Sequence, residues 1–255
     1  MLVDLHVHSS RYSPCGRSAP EEMVAQAIEV GLQGLVFTEH HIVWPKEELD
    51  SLQARFPEIK LFRGIEVTAA DGNDYLIYGV TEPDVFQWGM GVRELLKRAH
   101  AHGGVVVMAH PYRFRQEELV MPDDEMVDGV EIGSNNMINH AHLKACKLAE
   151  RWGATAVMSS DAHHVNAVGL YGVRFDHAIA DEQALVEALK RREFRRFADV
   201  ARLTALNDEI LSYVPEVTRL LALGYDDRAV QREMPLLGLA AIEGIRNGWD
   251  IRKPI

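Results

Sequence analysis

Residues 34–41 read Gly-Leu-Val-Phe-Thr-Glu-His-His, and this stretch combines the two features that decide the fold. A short apolar run is typical of a buried strand, and polar side chains ending in two histidines follow where that strand should end. The first residues repeat the pattern, since His6 and His8 lie at the end of the run Leu2–Val7. Because side chains two positions apart on a strand share a face, His6 and His8 are expected to point the same way.

Apolar runs of this kind alternate with amphipathic stretches along the first 200 residues. Strands are predicted at Leu2–Val7, Gly34–Thr38, Ile59–Val67, Tyr75–Val80, Val105–Ala109, Val127–Ile132, Ala154–Ser159 and, more weakly, Tyr171–Phe175. Helices are predicted between them at Pro20–Val30, Lys46–Phe56, Val92–Ala101, Ala141–Trp152 and Glu182–Arg192. This alternation predicts an α/β protein whose parallel strands close into a barrel. The alternative, an open doubly wound sheet, lacks the Gly-x-Gly-x-x-Gly sequence of its dinucleotide-binding form.

From about Ala198 onward the pattern is helical only, with apolar residues at helical spacing in Leu203–Leu223 and Pro235–Ile245. We therefore predict a barrel over residues 1–197 and a helical extension over residues 198–255. Fewer than about 60 residues seldom build a strong separate core. The extension is expected to pack on the barrel or to form the interface of a homo-oligomer.

Two helix ends are also predicted before that boundary. Ser18 is a plausible N-cap for the helix that starts at Pro20, because its side chain can accept a backbone hydrogen bond. A later group of arginines is expected to close a helix and complement its dipole: Arg191, Arg192, Arg195 and Arg196.

The composition is that of an acidic globular protein, with 38 Asp and Glu against 27 Lys and Arg and a net charge of −11. This charge disfavours broad nucleic-acid binding, which depends on neutralising phosphates, so no stable nucleic-acid complex is expected. No apolar run approaches the roughly 18 residues of a membrane span, and no signal peptide is recognisable. The only cysteines, Cys15 and Cys146, suggest no disulfide framework, and a reducing cytoplasm is the expected location.

Metal-binding side chains collect at the ends of the predicted strands: His6, His8, Glu39, His40, His41, Glu66, His110, Glu131, Asp161, His163 and His164. In a barrel of parallel strands these ends meet at one face, where barrel enzymes keep their active sites. Burying so many imidazoles and carboxylates without partners is costly, and together they suit Zn, Mn or Fe. Their number exceeds what a single four-coordinate ion requires, so two or three divalent ions are expected.

The motifs His-x-His, Thr-Glu-His, Gly-Ile-Glu, Ala-His-Pro and Ser-Asp-Ala-His follow one another between Leu2 and about Ala178. In this order they resemble the polymerase and histidinol phosphatase (PHP) family of metal-dependent phosphoesterases. The resemblance implies a distorted (β/α)7 TIM-like barrel with two or three metal ions at its mouth, followed here by a helical C-terminal tail.

The resemblance also implies how the ligands are shared. One ion would be held by His6, His8, Glu66 and Asp161. Glu66 would bridge to a second ion, which His110 also holds. His40 and His163 would hold a third.

The sequence departs from the family pattern at three places. Family members often have Asp or His shortly after His-x-His, whereas here Cys15 is the candidate, and a thiolate favours softer metals. Cys15 is equally compatible with an ordinary loop residue. Some members have a histidine after the fourth strand, where this chain has Thr81; Glu131 could complete that ion's shell or play a structural part. Glu39 stands in place of the commoner Asp and could orient a ligand.

The reaction predicted is hydrolysis of a phosphate ester of a small metabolite or nucleotide by a metal-activated water. Arg113 and Arg115 follow His110, and Arg17 lies in the first loop; a guanidinium fits phosphate oxygens, so these are the candidate substrate-binding residues. A surface ion pair is the alternative for each arginine. Arg113 and His163 are the predicted catalytic residues, His163 as a general acid, a role that His164 could also fill.

Three other functions compete with this one. Another metallohydrolase, such as an amidohydrolase-like enzyme, would also begin with His-x-His, but a lysine bridging the metals would be expected. An exonuclease acting on short oligonucleotides would suit the same site. A non-enzymatic metal-binding scaffold would carry metal without turnover.

Overall fold

A computed structural model describes residues 1–114, 116–235 and 237–255. Its strands are β1 (Leu2–Val7), β2 (Gly34–Phe37), β3 (Lys60–Thr68), β4 (Asp74–Tyr78), β5 (Val105–Met108), β6 (Gly129–Gly133), β7 (Thr155–Met158), β8 (Tyr171–Phe175) and β9 (Phe194–Ala198). Its helices are α1 (Pro20–Glu29), α2 (Lys46–Arg55), α3 (Val92–Ala101), α4 (Asn139–Trp152), α5 (Glu182–Arg191), α6 (Val200–Ala222), α7 (Asp227–Glu233) and α8 (Leu239–Asn247). Each predicted strand is confirmed, with bounds within two residues.

The described strands form one sheet in the order β7-β6-β5-β4-β3-β2-β1-β8-β9. The sheet curls until its first seven strands nearly close. The backbone N–H of His8 donates to Ala162 O at 2.9 Å, and that of Ala162 donates to His6 O at 3.2 Å, which links the end of β1 to the segment after β7. The TIM-like barrel predicted from the sequence is therefore confirmed, with β8 and β9 added outside β1.

The direction of β4 departs from the all-parallel prediction. β4 runs antiparallel to both of its neighbours, β3 and β5, whereas β1, β2 and β3 are mutually parallel, as are β5, β6 and β7. The connection from Thr68 to Asp74 is a short hairpin, too short for the helical crossover that a parallel pair needs. The beginning of β4, not its end, therefore lies at the barrel mouth.

Two predictions about local structure are wrong. Arg195 and Arg196 do not close a helix; they lie on β9, an edge strand, with their side chains exposed. Charged side chains on an edge strand are a common protection against further strand pairing, which explains why they suit this position. Ser18 is not the N-cap of α1, because the helix begins after Ala19; Ser18 Oγ instead accepts from Val165 N at 3.3 Å.

The barrel interior is apolar. Tyr78 of β4 is fully buried, and its hydroxyl donates to Leu5 O of β1 at 3.2 Å. These strands are not neighbours in the sheet, so this bond spans the barrel. Leu185 and Leu189 of α5 belong to the same buried cluster as Leu5 and Tyr78, whereas most of the other helices pack in a second, larger cluster.

The C-terminal helices share that larger cluster with the barrel helices, through buried side chains that include Leu203, Ile210 and Ile242. The predicted division at residues 197 and 198 and the predicted homo-oligomer remain predictions. Among the helices described, none combines the length and the apolar character needed to cross a bilayer.

Candidate metal centre

The predicted ligands come together at the mouth of the barrel. His6 and His8 come from β1, Glu66 from β3 and Asp161 from the segment after β7. The Nε2 atoms of His6 and His8 are only 2.9 Å apart. Asp161 Oδ1 lies 3.3 Å from His6 Nε2 and 3.4 Å from His8 Nε2, and Glu66 Oε2 lies 3.2 Å from His8 Nε2. All four side chains are buried.

The hydrogen bonds behind His8 decide which of its nitrogens carries the proton. Ser13 donates its hydroxyl proton to Glu39 Oε2 at 2.5 Å, so Ser13 Oγ must accept from His8 Nδ1, which is 3.1 Å away. Glu39 also accepts from Ser9 and Trp44, which holds its carboxylate in place. His8 therefore turns the lone pair of Nε2 towards the cluster, as a metal ligand must. This fits the orienting role predicted for Glu39.

Glu131 fixes the position of the proton on the His6 ring in the same way. Its Oε1 accepts from His6 Nδ1 at 3.1 Å and from Ser159 Oγ, and its Oε2 accepts from the backbone N–H of His110 at 2.8 Å. Both oxygens thus have donors, and His6 also presents the Nε2 lone pair. The two Nε2 atoms of the His-x-His pair point at one position between the carboxylates.

A second group of donor atoms lies beside the first. His110 Nε2 is 3.1 Å from Glu66 Oε1, so Glu66 faces both groups. Asp74, the first residue of β4, also brings a carboxylate within 4.8 Å of Glu66 and His110 donor atoms. Asp74 is not among the residues predicted from the sequence, because a β4 parallel to its neighbours would bring Thr81, beyond the other end of the strand, to the mouth.

A third group contains His8, His40 and His163, whose donor atoms lie within 4.8 Å of one another. The ring centroids of His40 and His163 are 4.5 Å and 4.4 Å from that of His8. Cys15 lies next to this group. Burial raises the pKa of the Cys15 thiol, but hydrogen bonds with His163 and His40 outweigh this and lower the pKa to about 6. Cys15 can therefore be a thiolate at neutral pH.

The electrostatic field of the cluster favours cations. Burial lowers the pKa of His6, but the neighbouring carboxylates, Asp161 first, outweigh it and raise that pKa well above its usual value. For His40, burial also lowers the pKa, and Cys15 and Glu66 raise it to about 10. Where no metal is bound, protons take the place that a cation would occupy.

The residues present fit divalent metal ions. Asp161 Oδ1 is buried and receives no hydrogen bond from any residue that the structure describes. The Nε2 atoms of His6 and His8 lie 3.3 Å and 3.4 Å from it, and the hydrogen bonds made by their Nδ1 atoms turn the Nε2 lone pairs towards it. Lone pairs that converge in a buried site repel one another unless a cation lies between them. Imidazole, carboxylate and a nearby thiol suit Zn, Mn or Fe.

Two members of the cluster have unusual backbone conformations. His110 has φ 25° and Asp161 has φ 51°, in the left-handed region that L-residues seldom occupy. Such strain is concentrated at functional sites, where the surrounding structure holds it in place. Here both strained residues are candidate metal ligands.

The predicted substrate-binding residues are placed unequally. Arg113 is partly buried, with Nη1 4.0 Å from Asp161 Oδ2. Arg17 is exposed at the rim, where its backbone N–H donates to His163 O at 2.8 Å. Arg115 lies outside the described residues. His164 is exposed and caps the short helical turn that follows it, accepting from Asn166 N at 3.3 Å.

Asn136 is a further polar residue of the site that was not predicted from the sequence. Its Nδ2 donates to Asp161 Oδ2 at 2.5 Å, from the loop after β6. This bond leaves Oδ1 facing the histidines. No strand-end motif marks Asn136, because it lies three residues beyond the end of β6.

Comparisons with known proteins agree with this geometry. The family model for the PHP domain matches residues 4–150, and that for the PHP-associated region matches residues 139–194. No protein of curated function matches the sequence.

Three solved structures illustrate the likeness in fold. A Bifidobacterium adolescentis protein, provisionally described as a metal-dependent phosphoesterase, aligns with TM-score 0.54 and 16% identity over 74% of this chain and 96% of its own. An amidohydrolase from Chromobacterium violaceum, solved with sulfate and no metal, aligns with TM-score 0.52 and 17% identity over 78% of this chain and 99% of its own. The lesion-specific endonuclease Q from Pyrococcus furiosus aligns with TM-score 0.54 and 16% identity over 74% of this chain and 56% of its own.

Proposed function

The chain belongs to the PHP domain family and is a metal-dependent hydrolase, and from this premise we propose that it hydrolyses a phosphate ester of a small molecule or nucleotide. The observation that carries the proposal is the pair of Nε2 atoms of His6 and His8, 2.9 Å apart and facing buried carboxylates, with Arg113 beside Asp161. Bound divalent ions would supply an activated water and would stabilise the charge on the phosphate oxygens.

We assign the ligands to three groups. The first is His6, His8, Glu66 and Asp161; the second is Glu66, Asp74 and His110; the third is His40 and His163, with Cys15 as the additional donor. Glu131 is proposed to orient His6 instead of binding metal, because its oxygens are already occupied by His6 Nδ1, Ser159 and the His110 backbone.

The residues around the metal ligands would handle the substrate. Arg113 would hold a non-bridging phosphate oxygen, since its guanidinium is fixed near Asp161 and partly exposed to the mouth. Arg17, at the rim, and Arg115 remain predicted substrate contacts. The general-acid role of His163 also remains a prediction; its ring is 23% exposed, within reach of a leaving group.

A small substrate is favoured over a long nucleic acid. The net charge of −11 opposes the phosphate neutralisation on which extended binding depends. The fold alone does not separate these classes, because similar folds occur in the endonuclease and in the amidohydrolase.

The proposal is tested by assaying Mn- or Zn-loaded protein against phosphomonoesters, nucleotides, a short oligonucleotide and an amide. Turnover of phosphate esters should be lost on chelation. It should also fall at least about 100-fold in His110→Ala, because substitutions that only support a ligand already cost about 10–100-fold. His102→Ala, which removes an exposed histidine outside the site, should be unaffected. Hydrolysis of the amide alone, or no turnover by metal-loaded protein, would refute the proposal.

A further inference from the structure

The last seven residues, 249–255, form a C-terminal tail that is docked on the barrel at two places. At the first, the side chain of Asn207 in α6 holds the backbone of Lys253 from both sides: Lys253 N donates to Asn207 Oδ1 at 2.6 Å, and Asn207 Nδ2 donates to Lys253 O at 3.1 Å. The buried hydroxyl of Tyr171 donates to Pro254 O at 2.8 Å. The path of the tail at Lys253 is therefore set by its backbone and not by its side chain.

At the second place, the tail meets the start of α4. The backbone N–H groups of Asn139 and His140 donate to Arg252 O at 2.7 Å and to Asp250 O at 3.1 Å. These N–H groups lie in the first turn of α4, where no carbonyl of the helix can accept from them. The ring of Trp249 stacks on that of His140 at 4.3 Å. The tail thus has a defined position beside the loop that leads from β6 into α4.

The Lys253 side chain extends from this tail towards the metal centre. Its Nζ donates to Asn135 O. Asn135 N donates to Ser160 O at 2.9 Å, and the next residue, Asn136, donates to Asp161 Oδ2. The ammonium group therefore lies against the loop that holds Asp161. An ammonium has three N–H donors, and within the described residues Nζ has this single acceptor.

Lys253 also interacts electrostatically with the site. Burial lowers the pKa of Lys253 to about 8; Arg113 acts in the same direction and Asp161 against it. Arg113 lies on the Oδ2 side of Asp161, while Oδ1 faces the histidines, and Lys253 interacts electrostatically with both Arg113 and Asp161. Within residues 1–114, 116–235 and 237–255, no carboxylate oxygen lies within 4.0 Å of Nζ. Among these residues, the Lys253 ammonium thus has no carboxylate partner of its own.

We propose that Lys253 is a substrate-binding residue, delivered by the C-terminal tail, that together with Arg113 holds the phosphate group of the substrate beside the metal centre. This inference rests on the proposed function and deepens it by assigning a second fixed cation. A lysine ammonium is a compact charge that can bind a phosphate oxygen with its free donors, while Arg113 offers a planar fork to the other oxygens.

Neither family model extends to the tail, since the matches end at residue 194. Lys253 is thus a feature of this chain that the PHP motifs do not supply. The tail lies at the mouth because α6 to α8 place it there, where it binds Asn207 of α6 and the start of α4.

The test measures binding of inorganic phosphate to the Mn-loaded protein of 255 residues by calorimetry, with metal content and the melting temperature determined for each variant. Lys253→Gln should weaken phosphate binding about 10- to 100-fold, because a charge-assisted contact is lost. Lys253→Arg should bind close to normally. Arg252→Gln is the matched control, since this neighbouring cation pairs with Asp250 on the outside of the tail.

Two results would overturn the inference: Lys253→Gln binding phosphate as tightly as Arg252→Gln, or Lys253→Gln losing metal together with phosphate, which would make the residue structural. The same experiment separates this inference from the proposed function. Wild-type protein that binds phosphate through Lys253 yet hydrolyses no ester would refute the function only. Turnover of esters with unchanged KM in Lys253→Gln would refute the role of Lys253 only.

Discussion

The metal centre and the C-terminal tail both lie at the mouth of the barrel, but they are built differently. In the metal centre the ligands are buried, and further residues fix them by hydrogen bonds. Glu131, for example, accepts from His6 Nδ1. In the tail, Lys253 is only partly buried and is positioned through backbone bonds to Asn207. The family models match the first region and end before the second.

The difference teaches where chemistry constrains sequence. A metal ion demands particular donor atoms at particular places, so the ligands form recognisable motifs at the strand ends. Holding an anion needs only a positive charge at the right place, which many positions in the chain could supply. Sequence motifs therefore identify the metal centre but do not identify the tail.

The largest effect expected within this comparison concerns Glu39. Glu39→Gln leaves one acceptor oxygen where Glu39 has two, so the hydroxyl of Ser13 and the donors of Ser9 and Trp44 can no longer all be satisfied. Without a fixed acceptor for its hydroxyl, Ser13 no longer has to accept from His8 Nδ1, and His8 can turn a proton towards the metal. We expect metal affinity about 10–100-fold lower, measured by competition with a chelator.

Glu48→Gln is the control for this prediction, because Glu48 pairs with Arg11 at the surface. Equal affinities of the two variants would contradict the orienting role of Glu39. The affinity of a tail variant such as Lys253→Gln should be unchanged, which would sharpen the separation of the two regions.

A middle-sized effect is expected at Asn207, which anchors the tail. Asn207→Ala removes both hydrogen bonds to the Lys253 backbone and leaves those groups without partners. The free energy of unfolding should fall by about 1–3 kcal/mol, while metal content stays the same. Chemical denaturation measures this, with Asn247→Ala, an exposed asparagine of α8, as the control. Loss of metal in Asn207→Ala would show that the tail and the metal centre are not independent.

The smallest effect is a pH dependence of tail docking. Hydrogen bonds from Arg252 and Asn139 outweigh burial and lower the pKa of Asp250 from 3.8 to about 2. A pKa that is lower in the folded state stabilises the fold above the unfolded pKa, and this contribution is lost as pH falls from about 4 to 2. Asp250→Asn should therefore reduce unfolding free energy by less than about 1 kcal/mol at pH 6, and by roughly a third of that amount near pH 2.5. A difference between the two proteins that is undiminished at pH 2.5 would contradict this origin.

Much of the fold could be predicted because strand and helix periodicity is local. The eight predicted strands are confirmed, and so is the barrel. The ninth strand was missed because its two exposed arginines, Arg195 and Arg196, resemble the basic end of a helix. Ser18 was taken for a helix cap, although its hydroxyl serves Val165, a residue far along the chain.

The candidate site could be predicted wherever its residues follow one of the six barrel strands that share a direction, namely β1, β2, β3, β5, β6 and β7. His6, His8, Glu66, His110 and Asp161 all satisfy this condition or lie within such a strand. Asp74 does not, because the reversal of β4 brings the start of that strand to the mouth. The direction of β4 depends on its pairing with β3 and β5, and no local sequence pattern predicts that pairing.

The sequence by itself therefore determined which residue types stand at the strand ends, and hence the metal-binding character of this protein. Only the tertiary structure decided that β4 is reversed, that Glu131 and Ser13 select the Nε2 lone pairs, and that Lys253 reaches the loop beside Asp161. The physical reason is range. Periodicity and residue type act between neighbours in the chain, whereas these contacts join residues up to 125 positions apart, which only folding brings within hydrogen-bond distance.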